Sequence, residues 1–233
     1  ITKEGSIAGP RVLEHMVDTV LYFEGDSGRE LRILRGFKNR FGPTSEIGIF
    51  LMNEAGLESA KGILSSFIGE KKPKEGAAIT VSLEGSRAIL IEVQALVTQT
   101  GYGYPKRSAT GFELNRLNML VALLEKKLDL PLNEYDIFIN IAGGIKISET
   151  SADLAIIAAI LSSYKNRPIS HETLFVGEVS LVGDVREIYG IEQRLKEAEA
   201  HGLTTAILPK IPSLKTKLKC YAVDEVSKII EWM

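Results

Sequence analysis

Residues 112–128 read FELNRLNMLVALLEKKL, and their large apolar side chains recur at spacings of three and four. This period is typical of one stripe along an α-helix, which needs an apolar surface to pack against. We therefore predict that this helix marks the start of a hydrophobic core. The residues of the stripe are Leu114, Leu117, Leu120, Val121, Leu124 and Leu128.

On both sides of this helix, the chain alternates between short β-branched runs and further amphipathic segments. Pattern and turn residues predict strands at 78–83, 88–98, 135–141, 174–181 and 204–208, and helices at 152–164, 191–201 and 225–232. This alternation indicates a fold of the α/β or α+β class.

The amino-terminal part has a different pattern. Residues 16–24, 30–37 and 46–52 read as three strands, the first two joined by the turn residues 25–28, which predicts an antiparallel meander. The run KKPKEG at 71–76 is polar and broken by proline, as linkers often are. We therefore divide the chain into a first domain at 1–57, a linker at 58–76 and a second domain at 77–233.

Composition narrows the class of protein. With 233 residues, 45% of them hydrophobic, and a net charge of −2, the chain has the make-up of one large or two small globular domains. The balanced charge argues against wholesale coating of nucleic acid, although local basic patches remain open. No apolar run approaches the roughly 20 residues that span a bilayer, and no secretion signal is present, so we expect a cytoplasmic protein without a membrane partner.

Several kinds of site are missing from the sequence. A single cysteine, Cys220, and three histidines leave no multi-residue metal motif, and no glycine is followed by lysine, so the phosphate loop G-x-x-x-x-G-K-[ST] is absent. We expect that this chain alone binds no metal or nucleotide. Because the chain starts at Ile1 rather than methionine, we also expect it to be part of a longer protein.

The run KNRFGPT at 38–44 is the most suggestive local pattern. Lys38 and Arg40 are two residues apart at the end of a predicted strand, so their cationic groups can point to the same side and bind one anion, such as a phosphate. The alternative is two solvated cations beside a hairpin turn.

Two long segments of the chain resemble the RadA (Sms) family of bacterial DNA-repair proteins. ITKEGSIAGPRVLEHMVDTVLYFEGD at 1–26 and KNRFGPTSEIGIF at 38–50 resemble the carboxyl part of that family's ATPase core. The rest resembles its last domain, which is similar to the Lon protease domain, through EVQALV at 92–97, FELNRL at 112–117, INIAGGIKISETSADLA at 139–155 and VGEVSLVGDVREI at 176–188.

The resemblance implies a fold and an activity. The fold would be the end of a RecA-like ATPase sheet followed by a Lon-protease-like domain of the ribosomal protein S5 domain 2 type. The activity would be that of a homo-hexameric, ATP-dependent helicase that drives branch migration in recombinational repair. ATP, Mg²⁺ and zinc would bind in the full-length protein, the zinc upstream of this chain. The partners would be single-stranded and branched DNA and a RecA-type recombinase.

The resemblance also gives the KNRFG run a role. Its pattern is similar to that of DnaB-type replicative helicases, where the lysine and arginine reach the neighbouring subunit's ATP. Lys38 and Arg40 would then act in trans, within a motif completed by Asn39, Phe41 and Gly42.

In the Lon-like region, Ser151 takes the position of the Lon nucleophile. Lon-type peptidases use a serine and a neutral lysine, but alignment of 189–192 puts Glu192 where the lysine would be. We therefore expect a non-proteolytic ring or DNA-binding platform, with an active serine peptidase or a scaffold without DNA binding as alternatives. Locally, Thr150 and Asp153 have the spacing of a capping box, and we favour a capping role for this segment.

Basic and aromatic residues cluster at positions suited to DNA. The candidates are Lys71, Lys72 and Lys74, and Lys106 and Arg107 beside Tyr102 and Tyr104. The alternative for each cluster is that its side chains lie on a solvated surface and bind no DNA. In a further group at 215–219, lysines alternate with other residues, which is typical of an edge strand protected by charge.

Overall fold

The structure, a computed structural model, describes residues 11–24, 31–59, 72–101 and 103–232. The predicted turn at 25–28 and the candidate residues Lys71 and Tyr102 lie outside the described residues. The chain divides into two compact units, a smaller one at 1–62 with 84–87 and a larger one at 63–83 with 88–233.

The smaller unit is an antiparallel meander, as the sequence predicted. Its strands are paired in the order β1 (Thr19–Glu24), β2 (Leu31–Asn39), β3 (Ile47–Asn53) and β4 (Gly56–Ser59). A short helix that the sequence did not predict, α1 (Arg11–Met16), precedes β1. At six residues, α1 is too short to show a helical period, and its neighbours read as strand.

The larger unit is built on a seven-stranded mixed sheet in the order β13-β12-β9-β5-β6-β8-β7. Strands β13, β12, β9 and β5 run parallel, β6 is antiparallel to β8, and β7 is parallel to β8. A two-stranded ribbon of β10 and β11 lies outside this sheet. The strands are β5 (Ala77–Glu84), β6 (Arg87–Gln99), β7 (Arg107–Thr110), β8 (Tyr135–Ile141), β9 (Thr173–Phe175), β10 (Glu178–Val179), β11 (Val185–Arg186), β12 (Thr205–Leu208) and β13 (Lys219–Ala222).

In the described part of the larger unit, three α-helices lie at segments that the sequence predicted to be helical. They are α2 (Leu114–Leu128), α3 (Asp153–Lys165) and α4 (Ile191–Ala200), with 3₁₀ segments at Leu132–Glu134, Ala142–Gly144, Thr150–Ala152 and Val226–Trp232. The Glu113 side chain caps α2 by accepting from two backbone N–H groups of its first turn. Every residue of α3 from Asp153 to Ser162 is buried, so this helix is central to the core. The prediction of a mixed α/β chain is confirmed.

The stripe of α4 packs into one apolar cluster of the sheet. Ile191, Leu195 and Ala198 are buried against side chains of β5, β9 and β12, among them Val81, Leu174, Ala206 and Leu208. Burial of a large aliphatic side chain contributes about 1.5–3 kcal/mol, so this cluster holds α4 firmly against the sheet.

Some predicted elements differ in detail. The predicted strand at 174–181 is split into β9 and β10, because the Gly177 N–H leaves the sheet ladder and donates to the Ser151 carbonyl at 2.9 Å. The predicted last helix is a 3₁₀ segment. The edge-strand interpretation of the lysine-rich group is confirmed at its end, because Lys219 begins β13 at the edge of the sheet.

Strand β4 extends into the predicted linker at 58–76, and the last residue of that linker is hydrogen-bonded within the larger unit. The smaller unit's β4 ends at Ser59, and the Gly76 N–H donates to the Ser162 hydroxyl at 3.0 Å inside the larger unit. The domain boundaries themselves stay a prediction. Among the described residues, none of the helices combines the length and the apolarity that crossing a membrane requires.

Candidate functional site

The KNRFG run begins at the last residues of β2 and continues into a tight loop shaped by Asn39. The Asn39 side-chain oxygen accepts from the Phe41 N–H at 3.2 Å, and its amide nitrogen donates to the Pro43 carbonyl at 3.3 Å. A Cβ atom at Gly42 would lie 2.9 Å from the same amide nitrogen, so a larger residue would push the Asn39 side chain away. Asn39 and Gly42 therefore shape the loop, while the Phe41 side chain is 84% exposed.

Lys38 is bound to the end of α1. Its Nζ donates to the Glu14 carbonyl at 2.7 Å and lies 3.5 Å from the His15 carbonyl. The last carbonyls of a helix lack partners within the helix, and a cation there also interacts favourably with the helix dipole. Lys38 thus caps α1, a contact that sequence reasoning missed because α1 itself was not predicted.

Arg40 is bound to the segment that connects α1 to β1. Its Nη1 lies 3.1 Å from the Asp18 Oδ1, and the two side chains are 58% and 54% exposed. The Arg40 N–H also donates to the Asp18 carbonyl at 3.0 Å. Lys38 and Arg40 therefore both reach residues 14–18, and Arg40 does so through an exposed ion pair of the weak kind.

A second cluster surrounds Ser151, the residue that the resemblance aligns with the Lon nucleophile. Ser151 lies in the 3₁₀ segment before α3 and is 2% exposed. Its hydroxyl accepts from Arg194 Nη1 at 3.0 Å, and the Arg194 side chain is 1% exposed. Because an arginine guanidinium stays protonated in proteins, it cannot take a proton from this hydroxyl.

The residue that contacts Ser151 is not Glu192, which the alignment places at the lysine of a serine–lysine dyad. Glu192 is exposed on α4, and the residue beside Ser151 is Arg194, two positions further along. A sequence signal existed, because Arg194 lies on the same stripe of α4 as the buried residues Ile191, Leu195 and Ala198. A charged residue on an apolar stripe indicates a buried ion pair.

Glu149 is the partner that balances the Arg194 charge. Its two oxygens lie 2.8 and 2.5 Å from Arg194 Nη1 and Nη2, and one of them also accepts from the Leu83 N–H and the Ser82 hydroxyl. Burial opposes ionisation of the Glu149 carboxyl, but the bonds from Arg194 and Leu83 outweigh it and lower the pKa of that carboxyl.

The remaining partners of Arg194 are backbone carbonyls, one of them in the turn that precedes α4. The guanidinium of Arg194 donates to the Val81 carbonyl at 2.5 Å and to the Tyr189 carbonyl at 3.2 Å. Gly190 precedes α4 with φ of 71°, and a Cβ atom there would lie 2.5 Å from the Leu83 side chain. A glycine is therefore needed at this close approach.

The capping-box interpretation of this segment is wrong. Among the residues that the structure describes, no side chain caps the 3₁₀ segment or α3; instead, the Thr150 hydroxyl donates to Glu178 at 2.7 Å. Asp153 is fully buried and binds Arg116 of α2, whose Nε lies 3.1 Å from Oδ1. Burial raises the pKa of the Asp153 carboxyl, and the hydrogen bond from Arg116 works against it. The segment 149–153 is thus held by two arginines rather than by its own caps.

The candidate DNA-binding residues have different surroundings. Lys72, Lys74, Tyr104 and Lys106 are exposed. The guanidinium of Arg107 instead donates to the carbonyls of Tyr135, Leu132 and Lys106, the last two at 2.8 and 3.2 Å. Arg107 therefore serves the fold of the larger unit at the start of β8.

Within the described ranges, no group of three or more histidine, cysteine, aspartate or glutamate side chains is placed to hold a metal ion.

Comparisons with known proteins agree with the repair-protein resemblance. The chain is 65% identical to the DNA repair protein RadA of Helicobacter pylori and 58% identical to that of Campylobacter jejuni, in each case over all 233 residues of the chain and 52% of the relative. Identity to the DNA repair protein RadA of Bacillus subtilis is 50%, over 90% of the chain and 46% of that protein. The chain thus spans about half the length of these relatives.

A family match covers part of the larger unit. Residues 111–211, from three residues before α2 to three residues past the end of β12, match the family described as subunit ChlI of Mg-chelatase. The match with the repair proteins is longer and includes both units. Over its whole length, the chain is therefore similar to part of the DNA repair protein RadA of these bacteria.

Proposed function

We propose that this chain is part of an ATP-dependent DNA-repair motor and that Lys38 and Arg40 act on the nucleotide of a neighbouring subunit. The observation that carries the proposal is the state of Arg40. Its guanidinium stands at the end of a strand, more than half exposed, and is held by one exposed ion pair. Such pairs contribute about 0–1 kcal/mol, so a nucleotide phosphate can replace Asp18 at little cost.

The chemical role is neutralisation of charge during phosphoryl transfer. An arginine supplied by another subunit can raise the rate of hydrolysis by about 10³- to 10⁵-fold. Because the arginine and the nucleotide belong to different subunits, hydrolysis then depends on assembly. A homo-hexamer would give every nucleotide such a partner, and hydrolysis would drive helicase action and branch migration in recombination.

For the larger unit we propose a Lon-like, non-proteolytic platform. The support is the surroundings of Ser151, which is buried and hydrogen-bonded to a permanently charged arginine. A serine nucleophile needs a neutral base within reach, and Arg194 does not provide one. Repeated around a ring, the exposed cations Lys72, Lys74 and Lys106 would add to one belt of positive charge along DNA.

The ligands follow from this role. ATP and Mg²⁺ would bind in the full-length protein, and zinc would bind upstream, since this chain has a single cysteine. The macromolecular partners would be single-stranded and branched DNA and a RecA-type recombinase, in the cytoplasm.

The test uses the full-length protein that carries this chain. We expect Arg40→Ala to lower DNA-stimulated ATP turnover at least about 10³-fold and to abolish branch migration. Arg186→Ala is the matched control, because Arg186 is also exposed and paired with an aspartate, at 3.8 Å. Turnover by Arg40→Ala equal to that of the control would reject the trans-acting role.

The peptidase alternative has its own test. A serine-reactive fluorophosphonate should leave the chain unlabelled, because Ser151 is buried and lacks a base. Labelling that disappears in Ser151→Ala would establish an active nucleophile. A scaffold without DNA affinity would show no salt-dependent binding of labelled single-stranded DNA.

A further inference from the structure

Residues 14–18, which we name the holding segment, contact both cations of the KNRFG run. Glu14 offers its carbonyl to Lys38 Nζ at 2.7 Å, and Asp18 offers its carboxylate to Arg40 Nη1 at 3.1 Å. The holding segment is thus a partner within the same chain for groups that we propose to act on another subunit.

The holding segment is itself anchored to β1 and β2. The Tyr22 hydroxyl donates to the Glu14 carboxylate at 2.5 Å, and the Tyr22 ring lies 4.8 Å from the ring of Phe37. The Arg40 N–H donates to the Asp18 carbonyl, a link that does not involve the Asp18 side chain. Loss of the Asp18 carboxylate alone would therefore leave the backbone contact in place.

We propose that Asp18 is a positioning residue that holds the Arg40 guanidinium in a resting place and competes with the neighbouring nucleotide for it. This inference rests on the trans-acting role proposed above. A carboxylate and a phosphate both accept from guanidinium N–H groups, so Asp18 and the phosphate compete for the Nη1 group that Asp18 binds. A triphosphate carries more charge than one carboxylate and wins the exchange when a loaded neighbour is present.

The competition gives Asp18 a measurable effect. In the full-length protein, Asp18→Asn keeps the size of the side chain and removes its charge. We expect kcat/KM for ATP to rise about two- to fivefold, the range that corresponds to an exposed ion pair. The gain should shrink as salt increases, because salt screens the pair in the unchanged protein.

Two further variants separate this effect from a structural one. In an Arg40→Ala background, Asp18→Asn should have no effect on kcat/KM, because the guanidinium that Asp18 binds is then absent. Asp184→Asn, which removes the carboxylate of the exposed pair with Arg186, should leave kcat/KM unchanged in either background.

The outcomes distinguish the two proposals. If Arg40→Ala turns over ATP normally, the trans-acting role and the competition both fail. If Arg40→Ala is inactive but Asp18→Asn has unchanged or lower kcat/KM, the role of Arg40 stands and the competition is rejected. A gain that persists in high salt would also overturn the competition.

Discussion

Arg194 Nη1 lies 3.0 Å from the hydroxyl oxygen of Ser151, and both side chains are buried. The pair joins α4 to the turn before α3 across 43 positions of sequence. Arg194 also binds Glu149, so the three side chains form one cluster. In this cluster the Ser151 hydroxyl oxygen accepts a hydrogen bond from the guanidinium and does not lose its proton. The Ser151 hydroxyl is therefore part of the Arg194–Glu149 ion-pair cluster of the larger unit.

Removal of the Arg194 charge should strongly destabilise the larger unit. Arg194→Met leaves Glu149 without its ion-pair partner, and breaking a buried pair on one side costs about 3–5 kcal/mol. The measurement is urea unfolding of the chain followed by circular dichroism. Arg186→Met, at an exposed pair, should change the free energy of unfolding by less than about 0.5 kcal/mol. A loss below about 1 kcal/mol in Arg194→Met would contradict the importance of the cluster.

Stability should depend on pH through Glu149. Its pKa is lowered from 4.5 in the folded chain, so its contribution is present above about pH 4.5 and is lost as the pH falls through the lowered value. We expect the difference in unfolding free energy between the unchanged chain and Glu149→Gln to shrink over this window. Urea titrations from pH 7 to pH 3 measure it. The exposed Glu192→Gln is the control, and an equal pH response of the two variants would refute the prediction.

Lys38 and Arg40 should differ in their effect on stability. Lys38→Met removes the cap of α1 and should cost about 1 kcal/mol, whereas Arg40→Ala loses an exposed pair worth about 0–1 kcal/mol. Amide hydrogen exchange reports this locally, with faster exchange of the Val17 N–H, which donates to the Leu13 carbonyl, in Lys38→Met. Equal exchange at Val17 in both variants would show that Lys38 does not hold α1.

Substitutions of the neighbouring residues Lys106 and Arg107 should also have different effects. Lys106→Ala should weaken salt-dependent binding of single-stranded DNA and leave unfolding unchanged, because Lys106 is exposed. Arg107→Ala should lower the free energy of unfolding by about 1–3 kcal/mol, because three backbone carbonyls lose a charged donor. Fluorescence anisotropy at several salt concentrations and urea unfolding measure the two effects. Unchanged stability in Arg107→Ala would return this residue to the DNA-binding candidates.

Local pattern was sufficient for most elements of the fold. The leucine stripe of α2 and the alternation in β1, β2 and β3 were interpreted correctly, because the period of apolar side chains follows directly from helix and strand geometry. The helix α1 was missed since six residues carry less than two turns of any period. The split between β9 and β10 was missed because it depends on a hydrogen bond from Gly177 to the distant Ser151.

The candidate sites were predictable to different degrees. The KNRFG run was found from spacing and resemblance, and the structure adds that Asn39 shapes its loop. The alignment at 189–192 found no lysine for Ser151, and it did not identify Arg194, two positions after Glu192, as the residue that contacts the serine. The capping interpretation failed because Asp153 is buried against Arg116, a residue 37 positions away.

By itself, the sequence determined the order and type of most elements and the similarity to the DNA repair protein RadA, since both depend on neighbouring residues and on matched segments. Only the tertiary structure decided which of the charged side chains are bound by other groups of the chain and which stay exposed. Arg107 and Arg194 carry the same charge as Arg40, yet the first two are bound within the larger unit while Arg40 stays largely exposed. The physical reason is that the cost of burying a guanidinium, and the acceptors that offset it, come from residues distant along the chain.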